Sequence, residues 1–88
     1  MDSWQIKITP AAKKDLKKLL KSNLHERFIE IERTLKTNPY SPIQSFEKLE
    51  PSGRDYYSRR LNGKHRVVYK INKEDKTVEI LSCWSHYE

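Results

Sequence analysis

Trp4, Ile6 and Ile8 alternate with polar residues, the period-two pattern of a strand with one buried face. Thr9-Pro10 then has the chemistry of a helix start. A threonine hydroxyl can cap the first turn, and a proline at the first helical position lacks an N–H that would go unbonded there anyway. Between Pro10 and about Lys21, Ala12, Leu16, Leu19 and Leu20 recur at helical spacing and predict the buried side of a helix. Asn23 followed by Glu26 has the form of a capping box. It opens a second helix, with Leu24, Phe28, Ile31 and Leu35 three and four residues apart, and Thr37-Asn38-Pro39 ends it. The link between the helices is so short that they are expected to lie antiparallel, as a hairpin.

Tyr40 to Asp55 holds Pro42, Pro51 and Gly53 with little periodicity, and reads as a connecting loop with one short strand around Phe46. The strongest local signal follows. Tyr56–Leu61 and His65–Ile71 flank Asn62-Gly63, the preferred pair for a two-residue hairpin turn. Asn72–Lys76 is a second polar turn, and Thr77–Trp84 completes a three-stranded antiparallel meander. The predicted class is α+β: an N-terminal strand, a helical hairpin, then the meander, with the helices on one face of a mostly antiparallel sheet. No repeat, low-complexity segment or linker interrupts residues 1–88, so one domain is expected.

Composition sharpens this picture. Apolar residues make up only 35% of the 88, so the core must be small and the two Trp, five Tyr and two Phe should supply much of it. Cys83 is the only cysteine, which rules out an internal disulfide and a paired-cysteine zinc site and fits a reducing compartment. Met1-Asp2-Ser3-Trp4 lacks the basic-then-apolar order of a signal peptide, and no apolar run approaches a membrane span of roughly 20 residues. The expected location is the cytoplasm, away from any membrane.

The net charge of +6 is concentrated in two places. Arg54, Arg59, Arg60, Lys64, Arg66 and Lys70 stand against Asp55 alone, and Lys13, Lys14, Lys17, Lys18 and Lys21 against Asp15 alone. Two basic patches on an otherwise slightly acidic chain suggest a polyanionic partner. A solubilising helix face explains the lysine run equally well. The arginine cluster points more firmly to phosphate, which a guanidinium grips as a fork.

A two-residue turn at Asn62-Gly63 would pair Arg60 with His65 and place Arg59 directly opposite Arg66. Like charges so opposed cost a few tenths of a kcal/mol to about 1 kcal/mol. Either the two side chains splay into solvent, or a longer loop shifts the register, or an anion sits between them. A cationic pair fixed on a sheet suits a phosphate whose charge grows in a transition state. Catalysis would also need proton carriers. The candidates are His65, His86, Tyr87, Glu47 and Glu50, with His86 the best acid–base group because imidazole titrates near neutrality. On residue type alone, the favoured reading of His86 is an ordinary residue near a chain end, and that of His65 a satisfied, partly buried strand histidine.

Taken together, Tyr57-Ser58-Arg59-Arg60-Leu61, His65-Arg66-Val67-Val68-Tyr69 and Ser82-Cys83-Trp84-Ser85-His86-Tyr87 resemble the Txe/YoeB branch of the RelE/ParE-like bacterial toxins. The likeness is close from about Glu47 onward and rests upstream on length and element order. It implies a RelE-like fold and the toxin of a type II toxin–antitoxin system. Such toxins are ribosome-dependent endoribonucleases that enter the decoding site, cut mRNA and so inhibit translation. The implied cleavage uses no metal or other cofactor: the ribose 2′-hydroxyl attacks the adjacent phosphate. Glu47 then corresponds to the general base, Arg66 to the stabiliser of charge on phosphorus, His86 to the acid that protonates the leaving oxygen, and Tyr87 to a positioning or stacking group. Lys48 and Arg59 become substrate-backbone contacts, with Arg60 and His65 as further substrate-binding candidates. The implied partners are a cognate YefM/Axe-like antitoxin, the ribosome with its mRNA, and a second copy in a homodimer; DNA enters only through an antitoxin complex.

The bare chemistry agrees, since internal attack needs a base, an acid and a cationic clamp, and the 2′-hydroxyl requirement selects RNA over DNA. Two features depart from the pattern: the chain runs one residue past the tyrosine, to Glu88, and the first helix is lysine-rich. A non-catalytic RNA- or ribosome-binding module is the alternative that the basic patches alone would support.

Overall fold

The computed structural model describes residues 3–49 and 55–84. Its elements run β1 (Gln5–Ile8), α1 (Pro10–Leu20), α2 (His25–Thr37), β2 (Glu47–Lys48), β3 (Tyr56–Arg60), β4 (Arg66–Asn72) and β5 (Thr77–Ser82). The strands form one sheet in the order β1-β5-β4-β3-β2. β1 lies parallel to β5, and every other pairing is antiparallel. Both helices lie in the connection from β1 to β2, the two edge strands, and pack together on one face of the sheet.

The expected α+β class and meander are observed. Tyr57, Val67, Tyr69, Ile71, Val78 and Ile80 turn to the helices and pack with Ala12, Leu19, Phe28, Ile31 and Leu35. By alternation, Glu47, Ser58, Arg60, Arg66 and Val68 belong to the opposite, open face. Thr9 caps α1 as predicted: its hydroxyl accepts from the Ala12 N–H at 3.2 Å and donates to the Ile80 carbonyl at 3.1 Å. The helix start is thereby tied to the middle of β5.

Three local expectations are corrected. Leu20 is half exposed while Leu19 beside it is fully buried, because consecutive residues sit about 100° apart on a helix and only one can face the sheet. The capping box at Asn23 does not form: α2 begins at His25, and its cap residue Leu24 offers no side-chain bond. Ser22 serves the link instead, donating to the Leu19 carbonyl and accepting from the Leu24 N–H. A single hydroxyl closes one helix and steers the chain toward the next.

The third correction is the hairpin. Asn62, Gly63 and Lys64 form a three-residue loop, with the Leu61 N–H bonded to the His65 carbonyl. The Asn62 side chain accepts from the N–H groups of Lys64 and His65 at 2.8 and 2.7 Å. Neither Asn62 nor Gly63 takes the positive φ that the two-residue turn requires. The asparagine thus acts through its side chain, and the register shifts so that Arg60, not Arg59, pairs with Arg66. A one-residue slip exchanges the faces of a strand.

Cys83 is buried behind α1, its thiol directed at the Ala12 carbonyl and its N–H bonded to Asp15. Burial, and secondarily the Asp15 carboxylate, pushes the thiol up to about 12. A raised pKa stabilises the folded state fully below the unfolded thiol value and loses that contribution as pH climbs through the folded one. Resistance to urea unfolding is accordingly expected to fall between about pH 9 and pH 12, and Cys83→Ala to flatten the slope in that window. A thiol reagent at pH 8 should label the native chain at less than about 1% of the unfolded rate; rapid labelling would contradict this burial.

Candidate active site

The open face of the sheet gathers charge at one end. β2 is only two residues long, yet its pairing places Glu47 opposite Ser58. One strand further in, Arg66 opens β4. A single Arg66 nitrogen, Nη1, donates to Glu47 Oε1 at 3.0 Å and to Ser58 Oγ at 3.1 Å. The Arg66 side chain is 22% exposed and that of Glu47 58%. The carboxylate is thus an accessible acceptor, and the guanidinium has donors beyond the two bonds it makes.

Glu47 and Arg66, nineteen positions apart in sequence, are therefore brought together. Arg60 stands exposed across from Arg66, so the opposed cationic pair exists with a different member from the one expected. Its main chain is fixed on both sides: the N–H donates to the Gln44 carbonyl, and the carbonyl accepts from Arg27 Nε. Lys48 is exposed on the edge strand. His65 is half-buried and stacks on Trp84, ring centroids 4.2 Å apart at 14°. Its Nδ1 has no hydrogen-bond partner among the described residues. The end of β5 thus lies against the hairpin immediately beside Arg66.

Arg59 is the clear correction. It is fully buried on the helix side, bonded to Tyr69 and to two carbonyls, and cannot touch a substrate on the open face. Alternation in the shifted register puts it there. Glu50, His86, Tyr87 and Glu88 lie outside the described residues. Two participants escaped sequence reasoning. Ser58 holds Arg66, and only its pairing with Glu47 across β2 and β3 signals that role. Trp84 packs on His65, a contact between residues too far apart in sequence for any local pattern to suggest.

Among the described residues no three of His, Cys, Asp and Glu gather as a metal-binding group. Among them, too, no helix is long and apolar enough to cross a membrane. What the site offers is an exposed base touching a cation, with a second cation across the hairpin. That set can remove a proton and hold an anion in one place.

Comparison with known proteins places this arrangement in context. Residues 9–87 match the family described as YoeB-like toxin of bacterial type II toxin-antitoxin system. Toxin YoeB of Synechocystis sp. is 36% identical over 56 residues, 64% of this chain and 63% of that protein, so the match spans less than two thirds of the relative. The YoeB dimer from Staphylococcus aureus superposes with a TM-score of 0.81 at 31% identity, covering 96% of this chain and 98% of the other. The toxin in the heterotetrameric YoeB–YefM toxin–antitoxin complex from Staphylococcus aureus is similar at a TM-score of 0.78 and 31% identity, with the same 96% and 98% coverage.

Proposed function

This chain belongs to the YoeB-like toxins of bacterial type II toxin–antitoxin systems, and from that premise we propose that it is a ribosome-dependent mRNA endoribonuclease acting in the cytoplasm. The observation that carries the reading is the 3.0 Å contact between Glu47 and Arg66 on the open sheet face. Glu47 takes the proton from a ribose 2′-hydroxyl as its oxygen attacks the adjacent phosphorus. Arg66, with Arg60 opposite, holds the phosphate oxygens as their charge rises. His86 gives a proton to the departing 5′-oxygen, and Tyr87 positions the nucleotide. The products are a 2′,3′-cyclic phosphate and a free 5′-hydroxyl, and no metal is needed. Lys48 and His65 contact the RNA beside this centre. The whole of residues 1–88 works as one domain.

The resting ion pair does not obstruct this scheme. An exposed pair of this kind is worth only about 0–1 kcal/mol. Glu47 takes only one Arg66 donor, and a phosphate that takes two as a bidentate acceptor can displace it. Glu47 is then released as a base at the place where the substrate has just docked. A YefM-type antitoxin is the proposed regulator and a homodimer the proposed free form, by analogy with the Staphylococcus aureus assemblies.

The test is a reconstituted translation reaction with a defined mRNA and mapping of its ends. New 5′-hydroxyl ends should appear only when ribosomes are present. A single 2′-deoxy substitution at the cut position should abolish that cut, and His86→Ala should slow cutting by about 10²–10⁴-fold. Tight, salt-sensitive ribosome binding with no new ends would instead identify a non-catalytic binding module.

A further inference from the structure

Arg59 is a buried cation, and among the described residues none of its hydrogen-bond partners is a carboxylate. Burial pulls its pKa down from the ordinary arginine value, with Tyr69 acting in the opposite direction. A charge so placed is retained only where hydrogen bonds compensate its lost hydration. Here Nε donates to the Tyr69 hydroxyl at 3.0 Å, Nη1 to the Ile43 carbonyl at 2.8 Å and Nη2 to the Pro39 carbonyl at 2.9 Å. The Tyr69 hydroxyl donates in turn to the Pro39 carbonyl at 3.0 Å, and the Phe46 ring lies 4.6 Å from the guanidinium carbon.

Apart from Tyr69, every one of these partners belongs to the stretch from Pro39 to Phe46. That stretch contains two consecutive side-chain-bearing residues in the left-handed region, Gln44 at φ 58° and Ser45 at φ 55°. The turn is closed by the Phe46 N–H on the Ile43 carbonyl and tied to β3 by the Arg60 N–H on the Gln44 carbonyl. Residues without glycine's freedom hold such a conformation only where their surroundings enforce it. The next residue is Glu47. It sits on an edge strand of two residues, which has little pairing of its own to fix it.

We propose that Arg59 is a positioning residue for Glu47: from the buried side of the sheet it clamps the 39–46 turn and so sets the carboxylate against Arg66 and the reacting hydroxyl. The inference rests on Glu47 being the general base. Arg59 touches no substrate atom and acts only through the segment that delivers Glu47.

The experiment compares Arg59→Lys and Phe46→Leu in the native and Glu47→Gln backgrounds, following single-site mRNA cleavage on programmed ribosomes. Lysine keeps the charge but cannot reach three acceptors at once. Displacing a reacting group by about 1 Å can cost about 10²-fold. Arg59→Lys is therefore expected to lower kcat by about 10–10²-fold with KM for programmed ribosomes unchanged. In the Glu47→Gln background the same change should lower kcat by less than about twofold, because the group it positions is gone. Phe46→Leu, which leaves Arg59 in place and removes the ring that lies over its guanidinium and stacks on Tyr57, should show a smaller loss of the same kind and carries the test if Arg59→Lys fails to fold. Equal losses in both backgrounds, a rise in KM with kcat unchanged, or an unchanged kcat in a folded variant would overturn the inference while leaving the proposed activity standing. A native chain that cuts nothing on ribosomes would overturn both.

Discussion

Glu47→Gln is expected to lower ribosome-dependent cleavage by about 10²–10⁴-fold while changing unfolding stability by less than about 1 kcal/mol. The asymmetry follows from the geometry. In the folded protein Glu47 makes one exposed ion pair, which contributes little to stability. It is also the only carboxylate bonded to Arg66 among the described residues, which makes it the proposed base beside the docked phosphate. Arg66→Ala should be as damaging, by about 10²–10³-fold or more, since it removes the stabilising charge outright. It should also cost some stability, because the buried Ser58 hydroxyl loses the Arg66 bond. The double variant should fall little below the worse single one, because base and clamp act as a unit. Single-turnover cleavage alongside urea unfolding checks all three. A Glu47→Gln protein that cuts at the native rate would remove Glu47 from the chemistry.

The second large effect concerns two adjacent leucines. Leu19→Ala should destabilise the chain by about 2–5 kcal/mol and lower Tm by roughly 10 °C or more. Leu20→Ala should stay within about 1 kcal/mol of the native protein. Leu19 is fully enclosed beneath the sheet, whereas Leu20 is 50% exposed. Removing a buried isobutyl group leaves a cavity that close-packed neighbours fill only in part, and removing an exposed one leaves water. Thermal unfolding of the two variants side by side decides the matter. Equal shifts would mean that α1 presents a different face to the sheet.

These leucines mark a limit of pattern reading. Helical spacing admits a stripe of apolar positions, and Leu16, Leu19 and Leu20 all fall within it. Which of them meets the sheet depends on how α1 is rotated, and the Thr9 bond to Ile80 sets that from outside the helix. The capping box failed for a related reason. Asn23 had the right residue type, but Ser22 was better placed to bond both the helix behind it and the chain ahead.

The site divides in the same way. The alternating apolar residues, the Thr-Pro start, the helical spacing and the turn residues determined the α+β class, the order of elements and the basic meander, because those signals are local. The linked Ser-Arg-Arg, His-Arg and His-Tyr elements were enough to assign the toxin family and to nominate Glu47 and Arg66. Only the tertiary structure decided on which face each arginine lies. A loop of three residues in place of two moved Arg59 from the substrate face to the core, put Arg60 opposite Arg66, and left Ser58 to hold the clamp. Strand alternation converts a register shift of one residue into a change of side, and the register was set by how the Asn62 side chain bonds in the folded loop.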